Sequence, residues 1–399
     1  MITVPIKVML TSRSHIRQLK WAKHRPKSKF SQAKILSFQF SAYHCTTNTD
    51  SDVKAARSYC SKLIQKFDSP SYTLQTFIPA SARDVYLSIR ALNVELARIP
   101  DIISNSTIGA LRMQFWRDNV NKIFQEIPQK EPVSILLSYA LASLRSRHPG
   151  IQTEMMKAWC IKIINAREQY MDNKPYASID ALETYAENTY SNLLYITSAA
   201  LPVHSLIVDH VASHIGKAHG ITAVLRGLPL IAFPSTPNHH FNSGNVRKNV
   251  GEKYDRRRES VVLPLDIMAE TGVKEEDVFR RGSTAPGLKD AVFTVATRAN
   301  DHLLTAKEML KKIKLGQDLG HEYDHVHEKN NDFTDSSSKS SSAADEIDKS
   351  FGVFMPAVMI GLWLQRLENV DFDIFKPELR TRDWRLPWKA YWAYSRRTL

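Results

Sequence analysis

The spacing of the apolar residues limits the possible folds of this chain most, because they recur every three or four positions, as on one face of an α-helix. In residues 83–99 the steps are four, three, four and three between Val85, Ile89, Leu92, Leu96 and Ile99. Further segments share this period: 108–126, 132–147, 152–171, 179–199, 203–226, 289–315 and 350–368. No segment of useful length alternates like a half-buried strand, and only 14 residues are glycine. We therefore expect an all-α protein.

One helical segment, residues 220–234 (GITAVLRGLPLIAFP), contains a single charged residue, Arg226. Its apolar residues begin with a helical period, which Gly227 and Pro229 then interrupt. Three interpretations are open at this point: a membrane segment, an ordinary core helix, or a site that has lost its acidic residues.

The N-terminal segment, residues 1–49, contains nine Lys or Arg residues and no Asp or Glu. This basic, acid-free composition is typical of a mitochondrial transit peptide, and the alternative is a disordered basic arm that binds anionic surfaces. Taking these nine from the 54 Lys and Arg of the whole chain leaves 45 against 41 Asp and Glu, a net charge of +4. The remaining domain, residues 50–399, is too weakly basic to indicate a nucleic-acid partner.

Neither membrane spans nor metal sites are predicted. Residues 188–208 lack charges but contain too many polar residues for a span, and residues 350–365 are apolar but short, with Pro356 inside. The three cysteines have no CxxC spacing, so a zinc site or disulfide framework is not expected. A soluble or peripheral protein is favoured over an integral one.

Residues 321–347 are polar and rich in serine, which predicts a disordered insertion, because such a composition buries too little apolar surface to fold. The segment includes His321, His325 and His327, two of them four residues apart. It shows no amphipathic pattern, so a solvated loop is favoured over a zinc site. A helical pattern resumes at Phe351, which places the loop inside one domain.

Five segments resemble, in order, motifs of the squalene/phytoene synthase family. They are SYTLQTFIPASARDVYLSIRALNVELARI (71–99), LRMQFWRDNVNKIF (111–124), YAENTYSNLLYI (185–196), GITAVLRGLPLI (220–231) and SVVLPLDIMAETGV (260–273). Each motif alone is weak, but the order and approximate spacing hold from about residue 55 to 375. The resemblance implies an isoprenoid-synthase-type helical bundle.

Enzymes of that family ionise allylic diphosphates with Mg²⁺ ions held by two acidic helices, and this sequence departs from them at the acidic positions. The resemblance places Val94 and Arg98 at outer carboxylate positions of the first motif, where only Glu95 remains acidic. In the second motif the three acidic positions are occupied by Gly227, Leu230 and Ile231. Because Mg²⁺ is held mainly by charged oxygens, we expect no metal, no cofactor and no catalytic residue.

The residues expected to line the vestigial pocket are Glu95, Arg98, Tyr185 and Arg226. Arg98 and Arg226 either face an anion directly or, as we slightly prefer, pair with local carboxylates. Of the three interpretations of residues 220–234, the resemblance favours the third, a site that has lost its metal ligands. The alternative function is an active Mg²⁺-dependent prenyl transferase of the squalene/phytoene synthase type.

Within the family, the phrase RALNVELARI and the ending FDIFKPELRTRDWRLPWKAYW resemble a non-enzymatic branch that helps to assemble mitochondrial respiratory complex I. This resemblance implies a role in building the membrane arm of NADH:ubiquinone oxidoreductase. It also implies a location on the matrix face of the inner membrane. The implied partners are complex I subunits or assembly intermediates and the inner-membrane lipid surface.

The C-terminal segment, residues 380–399, places Trp384, Trp388 and Trp392 at four-residue steps among many basic residues. If the segment is helical, these rings share one face and predict peripheral membrane contact, because Trp prefers the bilayer interface. Pro387 could break the helix between the first two rings. The nearly equal alternative is that the three rings dock on the core of the protein's own domain.

Overall fold

The computed structural model describes residues 49–103, 105–149, 151, 153–203, 205–234, 259–315 and 343–399, and these contain helices and no strand. The all-α prediction is confirmed. The helices are α1 (Asp50–Phe67), α2 (Ser69–Leu74), α3 (Ala80–Ile102), α4 (Ser106–Phe124), α5 (Pro132–Arg147), α6 (Thr153–Gln169), α7 (Ile179–Ala186), α8 (Asn192–Ala199), α9 (Leu206–Ala232), α10 (Leu265–Thr271), α11 (Glu275–Arg281), α12 (Leu288–Lys314), α13 (Ala343–Ser350), α14 (Pro356–Asn369) and α15 (Leu386–Arg396). Short 3₁₀ segments lie at Gln75–Phe77, Gly282–Thr284, Phe351–Phe354 and Pro377–Arg380.

Helix α9 is the central element of the bundle. It packs along α12, the other 27-residue helix, and against α7, α8 and α14. Its buried residues join two apolar clusters: Ile215 belongs to a cluster with α1 and α3 to α6, whereas Leu225 belongs to one with α10 to α12. Helix α9, which contains the motif of residues 220–231, therefore contributes to both clusters of the core.

Helix α9 extends beyond the predicted end at residue 226, to Ala232. The helix passes through Gly227 and Pro229, although Pro229 has no N–H to donate to the carbonyl group four residues earlier. Leu228, Pro229 and Ala232 are buried. The burial of this last turn offsets the missing hydrogen bond. The predicted helix ends too early because Gly227 and Pro229 interrupt the sequence pattern, whereas the folded helix accommodates both.

A second departure lies between α7 and α8, which the sequence pattern predicted as one helix. The chain there forms a π-helical turn at Glu187–Ser191. Such turns insert one residue into the helical ladder and rotate the side chains that follow. Tyr190 lies on this turn and, as described below, lines the main cavity.

Residues Thr46–Leu399 form one compact unit. The segment predicted as a transit peptide, residues 1–49, lies outside the described residues up to residue 48. Most of the predicted insertion, residues 321–347, also lies outside them, including the three histidines. Helix α13 begins at Ala343, however, and Ile347 is buried, so the predicted end of the insertion is too late.

Within the described part of the chain, no single helix has both the length and the hydropathy of a membrane span. The segments Ala344–Phe354 and Pro356–Asn369 reach the required length and hydropathy only when they are taken together, and they are bent by 54° relative to each other.

Candidate functional site

A cavity of about 160 Å³ lies between α3, α6, the π-helical turn and α9; we call it the central cavity. Helix α3 contributes Leu96, Ala97 and Pro100, and α9 contributes Ala223, Val224, Gly227 and Ile231. The remaining walls are Arg167, Tyr170, Asn173, Lys174, Tyr176, Tyr185, Tyr190 and Val262. Small or apolar residues on the two long helices therefore face a polar wall that is rich in tyrosine.

The polar wall is organised by Arg167. Its Nη1 donates a hydrogen bond to the Tyr185 hydroxyl at 2.6 Å, and its Nη2 donates to Asn93 Oδ1 at 2.8 Å. The guanidinium carbon also lies 5.4 Å from the centre of the Tyr190 ring and 5.6 Å from that of Tyr185. These contacts fix the Arg167 side chain in place, and no acidic residue among those described pairs with it.

The electrostatics of the central cavity disfavour a cation. Among the described lining residues none is Asp or Glu, whereas Arg167 and Lys174 are basic. Burial disfavours the charge of Arg167, but the adjacent Tyr185 and Tyr190 oxygens raise its pKa above the usual value, so it stays protonated. Burial also raises the pKa of Tyr176 and of Tyr185, so both phenols are neutral and cannot act as bases at neutral pH.

This donor set does not fit Mg²⁺. The ion requires oxygen ligands, mostly carboxylates, in near-octahedral geometry, and the described lining offers phenols and one amide beside two positive charges. Elsewhere in the described ranges, no group of three His, Cys, Asp or Glu side chains could hold a metal ion.

On α3 the residues at the central cavity differ by one position from those expected. Ala97 lines the cavity and Asn93 reaches it through Arg167, whereas Arg98 stacks on the Phe67 ring of α1, with its guanidinium carbon 3.9 Å from the ring centre. Glu95 is also turned away and accepts a hydrogen bond from the Tyr59 hydroxyl at 2.8 Å. Each residue turns a helix by about 100°, so a one-residue shift moves both predicted side chains off the cavity wall.

On α9 the predicted residues divide between two faces. Gly227 and Ile231 line the central cavity, as does Tyr185 on the neighbouring α7. Arg226 instead lines a second depression on the opposite side of the helix, and Leu230 is exposed. The retained arginine of the second motif therefore does not face the central cavity.

Two buried groups beside the cavity were missed by sequence reasoning. The Arg90 guanidinium is 1 % exposed and makes no hydrogen bond within the described structure; Asp68 Oδ2 lies 3.9 Å from its Nη1. His219 is buried against the Tyr190 ring, and burial together with Arg90 holds its pKa well below the usual value. A signal existed for Arg90, since it precedes Asn93 and Ala97 by three and seven residues and so shares their helix face.

The tryptophans of the C-terminal segment are exposed, contrary to the alternative in which they dock on the core. The exposed fractions are 78 % for Trp384, 66 % for Trp388 and 54 % for Trp392. Pro387 lies in the first turn of α15, where a proline is tolerated, so it does not break the helix. Trp388 and Trp392 share one face of α15, while Trp384 precedes the helix.

Comparisons with known proteins agree with this geometry. The family model described as squalene/phytoene synthase matches residues 64–230 and 245–392, well over half of the chain. NADH dehydrogenase (ubiquinone) complex I, assembly factor 6 of Bos taurus is 34 % identical over 84 % of this chain and 80 % of its own length. The protein of the same name from Homo sapiens is 33 % identical over 85 % and 82 %.

Solved structures show the same fold at low sequence identity. A dehydrosqualene synthase in complex with ligand superposes with a TM-score of 0.58 and 13 % identity, over 87 % of this chain and 98 % of that one. The squalene synthase HpnC of Alicyclobacillus acidocaldarius gives 0.54 and 9 %, over 82 % and 98 %. At these identities the likeness concerns the fold alone, and it confirms the predicted isoprenoid-synthase-type bundle.

Proposed function

The chain belongs to the squalene/phytoene synthase family, and from this premise we propose that it is a non-catalytic factor for the assembly of respiratory complex I. Its role is to help build a membrane-arm intermediate of NADH:ubiquinone oxidoreductase. The observation that carries this proposal is the match to proteins named as complex I assembly factors, over more than four fifths of the chain.

The central cavity supports the non-catalytic part of the proposal. A metal clamp supplies several kcal/mol to the ionisation of a diphosphate, and the described lining offers no carboxylate to hold the metal. The cavity, at about 160 Å³, is also smaller than the roughly 300–1,000 Å³ of ordinary ligand pockets. The described lining therefore offers a prenyl diphosphate no site for its Mg²⁺ ions and little room for its chain.

The location follows from the proposed role. We assign the chain to mitochondria, with residues 1–49 as a transit peptide, and to the matrix face of the inner membrane. Its partners are complex I subunits or assembly intermediates and the lipid surface, with no nucleic acid. The exposed Trp384, Trp388 and Trp392 support peripheral contact with that surface.

Calorimetry and product analysis distinguish this function from the alternative, a Mg²⁺-dependent prenyl transferase. Purified protein is titrated with a non-hydrolysable farnesyl diphosphate analogue with Mg²⁺ and with chelator, and separately incubated with farnesyl and geranylgeranyl diphosphate. We expect no Mg²⁺-dependent binding and no condensed product, because Ala97, Gly227 and Ile231 face the cavity without carboxylates. Tight binding that chelator abolishes, or turnover that requires Mg²⁺, would establish the enzyme instead.

A further inference from the structure

A second depression, of about 410 Å³, lies beside Arg226 between α2, α9, α14 and the chain from Leu379 to Pro387; we call it the C-terminal groove. Its wall combines arginines with apolar side chains. The arginines are Arg226, Arg366, Arg380 and Arg382. Arg226 belongs to the motif of residues 220–231, and the other three lie on α14 and in the C-terminal segment, so the four guanidinium groups meet only in the folded chain.

The charges of the groove are not balanced internally. The one acidic residue among its described lining, Asp383, accepts hydrogen bonds from Arg385 at 3.0 and 2.8 Å, and these lower the pKa of its carboxyl group. Arg366 donates to the Thr381 carbonyl oxygen at 3.0 Å and to its hydroxyl at 2.8 Å, which fixes one guanidinium in the wall. The site is thus strongly electropositive.

Three of its arginines keep their hydrogen-bond donors available. Arg226, Arg380 and Arg382 are exposed and have no ion-pair partner among the residues that the structure describes. A guanidinium presents its donors in a planar fork that matches the oxygens of a phosphate group. Three free guanidiniums on one groove therefore form a binding surface for a phosphate ester.

The remainder of the groove is apolar. Met359, Leu362 and Leu386 line it, together with the largely buried Trp363. The Trp363 indole Nε1 is buried and has no acceptor within the described ranges. The combined lining suits an amphiphile, with an anionic head and an apolar chain, better than a free anion.

The edge of the groove indicates where that amphiphile comes from. Trp384 lines the groove and is 78 % exposed, and the exposed Trp388 and Trp392 follow on α15 with the exposed Lys389. Tryptophan is enriched at the headgroup level of bilayers, and basic residues are attracted to anionic lipids. An acidic peptide would account for the arginines but not for three exposed indoles.

We propose that the C-terminal groove binds the phosphate headgroup of an anionic phospholipid while it is still in the bilayer. Arg226, Arg380 and Arg382 hold the phosphate oxygens, and Trp384, Trp388 and Trp392 enter the interface around it. This inference deepens the proposed membrane location. The groove makes the contact lipid-selective, which a general basic surface would not.

Vesicle flotation of the full purified chain tests the proposal. The vesicles are phosphatidylcholine alone, or phosphatidylcholine with cardiolipin, and a third arm adds inorganic phosphate at millimolar concentration. Arg226→Gln with Arg382→Gln forms the groove variant. Arg112→Gln with Arg280→Gln forms the control, because it removes the same charge from exposed positions outside the groove.

We expect the chain to float with cardiolipin vesicles only, and the groove variant to partition roughly thirtyfold less, at about 1 kcal/mol for each basic residue. The control should change much less, and phosphate should not displace the wild-type chain. An equal loss of vesicle binding in both variants would show that binding depends only on net charge, and it would overturn the proposal. Displacement of the chain by inorganic phosphate alone would overturn it in favour of a soluble anion. Because the assay uses purified protein, a negative result leaves the complex I role untouched.

Discussion

At the scale of single residues, a cluster of partly buried ionisable side chains lies between α7, α9 and α12. Glu183 lies beside Arg298 and, at 3.2 Å from Oε1 to Nε2, His302; His302 Nδ1 in turn lies 3.0 Å from His214 Nδ1. Despite partial burial, the adjacent His302 and Arg298 side chains lower the pKa of Glu183 to about 2. Burial and the neighbouring His302 lower the pKa of His214 to about 4.

These shifts predict that the protein loses stability as the pH falls below about 6.5. In the unfolded chain His214 takes up a proton near pH 6.5, whereas in the folded chain it does so only near pH 4, so the unfolded state binds more protons between these values. Glu183 adds a further loss between about pH 4.5 and 2. We expect the free energy of unfolding in urea to fall from pH 7 to pH 5.

The variant His214→Gln should make that fall smaller, because it removes one of the histidines that resist protonation in the folded state. His148→Gln, at the C-cap of α5, is the control. An identical difference between pH 7 and pH 5 in wild type and His214→Gln would contradict the assignment.

At the scale of helices, the close approach of α9 to the π-helical turn depends on glycine. A Cβ atom at Gly216 would lie 2.4 Å from Ser191 Cα, and one at Gly220 would lie 2.7 Å from Ala186 Cα. Contacts with backbone atoms cannot be relieved by a rotamer change, so the two helices must separate. At Gly227, on the same helix, the nearest atom would be 3.8 Å away.

Opposite effects on stability are therefore expected from the same substitution at two glycines of α9. Gly216→Ala should destabilise the domain by several kcal/mol, on the order of other overpacking changes. Gly227→Ala should stabilise it by up to about 1 kcal/mol, because alanine is the better helix former. Thermal and urea unfolding of the two variants would measure this, and equal destabilisation by both would show that the described packing is incorrect.

The sequence predicted helices more reliably than it predicted which way they face. The apolar period identified α3, α4, α5 and α12 because each keeps one buried stripe along its length. The π-helical turn at Glu187–Ser191 shifts that period by only one residue, and the apolar spacing alone did not reveal this shift. Motif matching also could not fix the rotation of α3, which is why Arg98 was expected at the cavity and Ala97 was found there.

At the scale of the whole molecule, an isoprenoid-synthase-type bundle holds a small central cavity whose described lining is basic and contains no Asp or Glu. The outer surface carries a basic groove and, in the C-terminal segment, three exposed indoles. Both features support the proposed peripheral contact with a membrane. The fold could be predicted from the sequence, but the groove could not, because Arg226 and Arg382 are far apart in the chain and meet only after folding.

The complex I role is tested most directly by native-gel analysis of respiratory complexes after deletion of the gene, with re-expression of the full chain as the control. We predict that assembled complex I and its in-gel NADH dehydrogenase activity are lost, with a membrane-arm intermediate missing. The other respiratory complexes should be unchanged, and re-expression should restore complex I. Normal complex I in the deletion, or an equal loss of all complexes, would contradict the proposed function.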